Sequence, residues 1–458
     1  MKRFIRTFIK VLLVCLLIYV IRYAWLSFPV ITGYGSKNMC SCMFVAGRTE
    51  KSVAAEELGS FPLSLASYKV NLEDSSVTAS VWSMATHKAI YRKGLGCTLI
   101  NEQNEEAIRK QHFDLPSPVN INTDTIPWPM GDKLPDSITP AVAVKDLNNV
   151  LNKWFVEKDP EHTTHTRAIV VLYNGDLVAE KYADGYNRHS KMLGWSMTKS
   201  VTSALIGILV KEGKLQVNQP APVPEWKDPS DKRHAITLQD LLHQASGLKF
   251  QENYNKASEV TNMLFRKDDM AAYSASMPLQ DKPGSVFYYS SGNSNIIARI
   301  VRHTVGENAY HRFPANELFN KTGMYSAIME PDASGTFVGS SYMYATARDW
   351  ARFGLLYYND GVFNGQRILP EGWVKQTATP FAADKRSEYG YQFWLNGFED
   401  LEHKQRKSPD VPADMYYADG YGGQGVYIIP SKKLVVVRLG LKNIDDNNLL
   451  KEIIACVK

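Results

Sequence analysis

The stretch LGWSMTKSVTSALIGILVKEGKL, Leu193 to Leu215, carries a serine, a lysine three residues later, and then a long apolar stripe. Met197, Val201, Ala204, Leu205, Ile208 and Leu209 recur at helical spacing and Gly213 supplies a stop, so the segment reads as a buried helix beginning at Ser196. Residues three apart share a helix face, which puts Lys199 on the same side as Ser196, about 5–6 Å away at Cβ. The dipole at this end of a helix favours anions, so a lysine here is electrostatically misplaced and needs another reason to be present. Burial beside the positive end lowers a lysine's pKa, and an amine partly neutral near pH 7 can take the proton of a serine hydroxyl. The free backbone N–H of Ser196 and the helix N-terminus would then hold a developing oxyanion. The plain alternative is a capping serine and a solvated lysine. A second tetrad of this form, SGLK from Ser246 to Lys249, contains glycine and follows LQDLLHQA as a turn, so it lacks the helical geometry.

Two further segments bear on the choice. DKPGSVFYYSSGNSNIIARIV has a Pro-Gly turn and then Tyr289-Ser290-Ser291-Gly292 before an apolar helix. YYADGYGGQGVYIIP has a glycine cluster directly before a strand, where backbone can approach a ligand closely. Taken singly, Tyr289 reads as a half-buried aromatic and the glycines as a hairpin turn.

In this order, the three segments resemble the serine β-lactamase and penicillin-binding protein superfamily, in its class C and esterase-like branch that includes 6-aminohexanoate dimer hydrolase. The resemblance runs from about residue 142 to residue 457. Ser196-Met197-Thr198-Lys199 matches S-x-x-K, Tyr289-Ser290-Ser291 matches Y-x-N or Y-x-S, and Tyr421-Gly422-Gly423 falls where K-T-G or H-x-G stands. LQDLLHQASGL, TARDWARFGLLYYNDGVFNGQRILPEGWV and YGYQFWLNG are also similar to this branch. The resemblance implies an α+β, β-lactamase/transpeptidase-like fold: an antiparallel sheet flanked by terminal helices, plus a mostly helical subdomain. It implies Ser196 as the acylated nucleophile, Lys199 as its general base and Tyr289 as the phenol that relays a proton to the leaving group. Two groups with pKa values near 10 share one proton when the charge of one lies near the other, so the pair can act as base and then acid. Backbone N–H groups of Ser196 and Gln424 are the implied oxyanion donors, with Ser291 bonding within the cluster or to substrate. Tyr391, Phe393 and Trp394 are candidates for the groove wall, with core packing expected for at least one. Penicillin-recognising members place a cation in the third motif, where this chain has Tyr421. That loss points to a neutral ester, amide or peptide-like small molecule as substrate. No dedicated deacylation base is apparent.

The remaining sequence bounds this reading. At 458 residues, with 44% hydrophobic content and a net charge of +5, the chain is globular, and it lacks the basic, aromatic-interleaved block of a nucleic-acid partner. Lys2, Arg3, Arg6 and Lys10 precede VLLVCLLIYVI, Val11 to Ile21, and apolar character continues past Arg22 to Ile31. Basic residues before an apolar run place the N-terminus in the cytoplasm and the rest outside. For want of a small-x-small cleavage site, a signal anchor is preferred to a cleaved signal, giving a membrane-anchored protein whose catalytic domain is periplasmic or extracellular on a bacterial envelope. Among five cysteines, Cys97 is expected to pair with Cys40 or Cys42, its neighbours in the N-terminal region. No metal and no cofactor are expected. HTTH, His162 to His165, lacks the glutamate and the spacing of a zinc hydrolase site and reads as a polar loop.

Four regions follow: residues 1–31 as the membrane segment, 32–115 as a small β region, 116–141 as a proline-rich connector and 142–458 as the main domain. In the last, VKDLNNVLNKWFVEKD reads as an amphipathic helix, Asn174-Gly175 as a hairpin turn, GQGVYIIPSKKLVVVRLGL as strand, turn and strand, and NNLLKEIIACVK as a closing helix. Three functions fit: an extracytoplasmic serine hydrolase of esters or amides, a D,D-peptidase or β-lactamase acting on cell-wall peptides or β-lactams, and a catalytically idle binding or sensor protein.

Overall fold

The apolar N-terminal run opens a single long helix, α1 (Lys2–Phe44), in the computed structural model, which describes residues 2–117, 119–157, 159 and 163–458. His162 of the HTTH segment lies outside the described residues. From Phe4 to Leu26 the large apolar side chains of α1 are exposed, whereas from Phe28 onward most of the helix is buried. The expected boundary at residue 31 therefore falls inside a helix. Residues 32–44 stay helical because Met39, Cys40 and Cys42 face an apolar core, and the β region begins only later.

That region is an antiparallel sheet of β1 (Ser67–Asn71), β2 (Ser76–Val81), β3 (Ala85–Arg92) and β4 (Gly96–Ile100), paired in sequence order. It lies along α1. Phe28 packs with Val81, Thr32 Oγ1 meets His87 Nδ1 at 2.8 Å, and a disulfide joins Cys40 to Cys97. Cys42 remains a free, buried thiol. The same core takes Val260, Met263, Leu264, Phe265 and Tyr342 from the main domain, so α1 is packed between the small sheet and that domain.

Among the described residues of 116–141 the one helical element is a short 3-10 turn, Thr123–Thr125. Proline at that density sustains neither helix nor central strand. Arg352 fixes the segment by donating to the carbonyls of Pro129 (2.7 Å) and Gly131 (2.6 Å) and to Asp132 (2.9 Å).

The main domain is built from α2 (Val144–Lys153), β5 (Ala168–Tyr173), β6 (Asp176–Tyr182), α3 (Met197–Lys211), α4 (Ser291–Val305), α5 (Ala347–Tyr358), β7 (Trp394–Leu395), β8 (Tyr416–Gly420), β9 (Gln424–Ile429), β10 (Leu434–Leu439) and α6 (Asp446–Ile454). Its antiparallel sheet runs β7-β8-β9-β10-β5-β6. Strand alternation distributes side chains to two cores. Ala168, Val170 and Leu172 of β5 join a core containing residues of α3, α4 and α5, while Ile169, Val171 and Tyr173 join one with α2 (Leu147, Leu151) and α6 (Leu449, Leu450, Ile453). Asn174 and Gly175 adopt φ of 51° and 94°, the left-handed pair that a tight hairpin requires. A sheet covered by terminal helices on one face and by the helical part on the other is the expected architecture, and α3 brings Ser196 to the junction of the two.

Candidate active site

Ser196 occupies the N-cap position of α3, with φ −65° and ψ −10°. The approach to it is tight. Trp195 is held at φ 48°, in the left-handed region, and Thr198 Oγ1 donates to its carbonyl at 2.7 Å. A Cβ on Gly194 would lie 2.3 Å from Trp350 Cζ2, so only glycine fits before this turn. Left-handed backbone in a tryptophan is strained, and strain of this kind persists only where the surroundings over-determine it.

Lys199, one turn further on, is buried among the residues of α3. Its Nζ lies 2.9 Å from Ser196 Oγ, 3.0 Å from Ser291 Oγ and 2.9 Å from the carbonyl of Ser340. Burial pushes its pKa down to about 8, against the opposing pull of the negative charges at Glu252 and Asp419. About a tenth of the amine is then neutral at pH 7, where an ordinary lysine has almost none.

Tyr289 stands over this pair. Its ring centroid is 5.0 Å from Lys199 Nζ, and its phenol lies close enough to the Ser196 hydroxyl for the two to interact electrostatically. Burial raises its pKa well above 10, and the neighbouring Ser196 hydroxyl acts the other way. The ring is stacked on Trp394 at 5.2 Å and edge-on to Tyr389 at 5.8 Å. Of the three aromatic residues considered for the groove wall, Tyr391 and Phe393 are buried in the core and Trp394 supports the tyrosine.

Ser291 links the cluster to a carboxylate that sequence reasoning missed. Its Oγ donates to Glu252 Oε1 at 2.5 Å and its N–H donates to Oε2 at 2.9 Å, while Tyr254 OH donates to Oε1 at 2.9 Å. Glu252 lies in a loop without hydrophobic period, so pattern reading has nothing to mark it. Asp419, in β8, was missed too. Its charge acts on Lys199, and burial raises its own pKa to about 7. The only sequence signal was an acid inside a strand otherwise made of aromatic and small residues.

The glycine segment forms the hairpin that joins β8 to β9. Gly420 pairs with Gln424 at the end of β8, and a Cβ on Gly420 would sit 2.2 Å from the Gly194 carbonyl, so this strand end abuts the turn leading to Ser196. Tyr421 is exposed and edge-on to Trp195 at 5.8 Å. Gly422 and Gly423 belong to the hairpin turn, with left-handed φ of 78° and 73°, and both carbonyls accept from Arg438 Nη1 at 3.0 Å. The Gln424 side chain ties the hairpin to Gly440, donating to its carbonyl at 2.6 Å and accepting from its N–H at 2.9 Å. The structure thus brings Ser196, Lys199, Tyr289 and Ser291 together. Gly422, Gly423 and the Gln424 side chain lie in the adjoining hairpin, whose strand end at Gly420 meets the Gly194 carbonyl. In the second tetrad, Ser246 bonds Asn293 Oδ1 at 2.8 Å and Lys249 is exposed, as a turn would have it.

Comparison with known proteins supplies the family context. A family model described as Beta-lactamase matches residues 151–450. The 6-aminohexanoate-dimer hydrolase of Paenarthrobacter ureafaciens is 25% identical over 327 residues, covering 66% of this chain and 80% of the relative. Among solved structures, a family VIII carboxylesterase superposes with a TM-score of 0.53 at 14% identity, covering 71% of this chain and 100% of that one. A penicillin-binding protein from Bacillus halodurans gives 0.50 at 18% identity, covering 68% and 99%. At these identities the structural likenesses carry the β-lactamase/transpeptidase-like fold, and the α+β arrangement described above agrees with it.

Proposed function

Because this chain belongs to the β-lactamase family of serine hydrolases, we propose that it cleaves an ester or amide bond through an acyl-enzyme on Ser196. The observation that carries this reading is the buried Lys199 Nζ at 2.9 Å from Ser196 Oγ. A neutral amine at that distance accepts the serine proton as Oγ attacks the substrate carbonyl carbon. The tetrahedral oxyanion is received by the N–H of Ser196 at the helix N-terminus, an interaction of a type that contributes several kcal/mol. The proton leaves through the Tyr289 phenol to the departing alcohol or amine, and water then releases the acyl group from Ser196.

Tyr421, rather than a cation, stands edge-on to Trp195, the residue before Ser196, which supports a substrate without the carboxylate of a penicillin. The exposed apolar half of α1 supports a membrane anchor with the catalytic domain outside the cytoplasm, and the Cys40–Cys97 disulfide suits an oxidising compartment. The test is turnover of p-nitrophenyl esters, nitrocefin and a D-Ala-D-Ala peptide by the detergent-solubilised full chain, with Ser196→Ala as the blank. Ester turnover that disappears in Ser196→Ala is the expected result. Preferred turnover of nitrocefin or the peptide would favour a β-lactamase or D,D-peptidase, and no turnover of any substrate would favour an idle binding protein.

A further inference from the structure

The small sheet carries a cluster of exposed apolar side chains whose position is set by α1. Residues 8–26 of α1 span about 28 Å at 1.5 Å per residue, close to the roughly 30 Å of a bilayer's hydrocarbon core. The exposed apolar face ends at Leu26, and burial begins at Phe28. The sheet meets the helix at that level. The ring of Trp82 packs edge-on to Phe28 at 5.5 Å, and Phe28 shares a cluster with Ile31, Val81, Ala24, Leu63 and Leu65. Further along, Thr32 meets His87 and Cys40 bonds Cys97. The strands therefore run along the helix axis, with the β2–β3 turn at the end where the exposed apolar helix begins.

Trp82 is 67% exposed and Met84 64% exposed at this turn, and Phe61, 76% exposed, lies in the chain segment leading to Leu63. The turn closes with a hydrogen bond from Met84 N to the Val81 carbonyl at 2.9 Å, and Trp82 and Ser83 both take left-handed φ, 46° and 58°. Such turns favour asparagine and glycine, because a side chain with φ > 0 is strained. A tryptophan kept there sets one ring edge against Phe28 and leaves two thirds of its surface outward, so most of its apolar area gains no packing inside the protein. Aromatic side chains do gain at the boundary between lipid headgroups and acyl chains, where the ring has an apolar body and a polar N–H.

We propose that Trp82, Met84 and Phe61 form a second membrane contact, continuous with α1, that seats the small sheet in the headgroup layer of a lipid bilayer. This inference rests on the reading of α1 as a membrane anchor. Its consequence is a fixed height for the site. Tyr34, eight residues or about 12 Å beyond Leu26, stacks at 6.1 Å on Trp195, the residue before Ser196. Two membrane contacts, rather than one helix free to tilt, then hold the Ser196 turn about two helical turns from the hydrocarbon.

The test places the photocrosslinker p-benzoylphenylalanine singly at positions 17, 72, 82 and 84 of the full chain, in phosphatidylcholine/phosphatidylglycerol vesicles, with lipid adducts read by mass spectrometry after irradiation. Leu17 lies in the exposed part of α1, and Leu72 is an equally exposed apolar residue at the opposite end of the small sheet. Adducts at 17, 82 and 84 but not at 72 are expected. Position 84 does not depend on the strained backbone of position 82. Adducts at 17 without adducts at 82 or 84 would overturn the second contact while leaving the anchor intact. Adducts at 72 as strong as at 82 would overturn the orientation, and none at 17 would overturn the anchor and this inference together.

Discussion

At the scale of single residues the decisive group is the Lys199 amine. Desolvation favours its neutral form, while Glu252 and Asp419 favour its ammonium, and the balance lies at about 8 rather than near the ordinary 10.5. If the neutral amine is the working base, kcat/KM for a neutral ester rises with pH through about 8 and is low below it. Glu252→Gln removes one negative charge that favours the ammonium. The lysine then loses its proton more readily, and the rising limb moves to a pH below 8. A pH–rate profile of both proteins checks this, and an unmoved limb in Glu252→Gln would assign Glu252 to holding Ser291 and Tyr254 alone. Ser196 and Lys199 were legible because S-x-x-K coincided with a helical apolar period. Glu252 and Asp419 were not, because they reach the cluster through a loop and a neighbouring strand, and such contacts leave no local pattern.

At the scale of elements, the turn into α3 is what aims the serine. Gly194, Trp195 and Ser196 are wedged between Trp350 of α5 and the end of β8 at Gly420. Gly194→Ala drives a methyl group into the Trp350 ring, and relief of that clash must shift either the tryptophan or the turn. Overpacking of this kind costs about 1–3 kcal/mol in stability, while a misplacement near 1 Å at the nucleophile costs up to about a hundredfold in rate. Thermal unfolding and ester turnover measured together are expected to show a larger relative loss in turnover than in stability. The apolar period of α3, the Asn174-Gly175 hairpin and the strand-turn-strand at residues 424–439 were legible because each is encoded by neighbours in sequence. The glycines at 422 and 423 were harder to place. Their left-handed backbone is as necessary to a hairpin held by Arg438 as to a ligand site, and sequence alone does not distinguish the two.

At the scale of the whole molecule, α1 is both the exposed N-terminal helix and a structural part of the hydrolase domain. Glu330 joins three units: it pairs with Lys37 and accepts from Ser41 Oγ at 2.9 Å, both on α1, and accepts from Cys97 N at 2.6 Å on β4. Lys37 and Glu330 are both buried. Glu330→Ala leaves an unpaired buried amine and is expected to cost about 3–5 kcal/mol, read as a lower midpoint in thermal unfolding. The double variant Lys37→Met with Glu330→Met recovers much of that loss if the pair, rather than packing, is responsible. The sequence showed the apolar run and its basic flank but not that the helix continues to Phe44, because residues 32–44 are mixed polar and apolar and are helical through contacts with a sheet and a domain distant in sequence.

The account rests on a serine activated by a buried amine, and covalent capture tests it most directly. Treating the full chain with a fluorophosphonate and measuring intact mass and the labelled peptide is predicted to give one adduct, on Ser196, absent from Ser196→Ala. An adduct on another residue, or one that persists in Ser196→Ala, would contradict it.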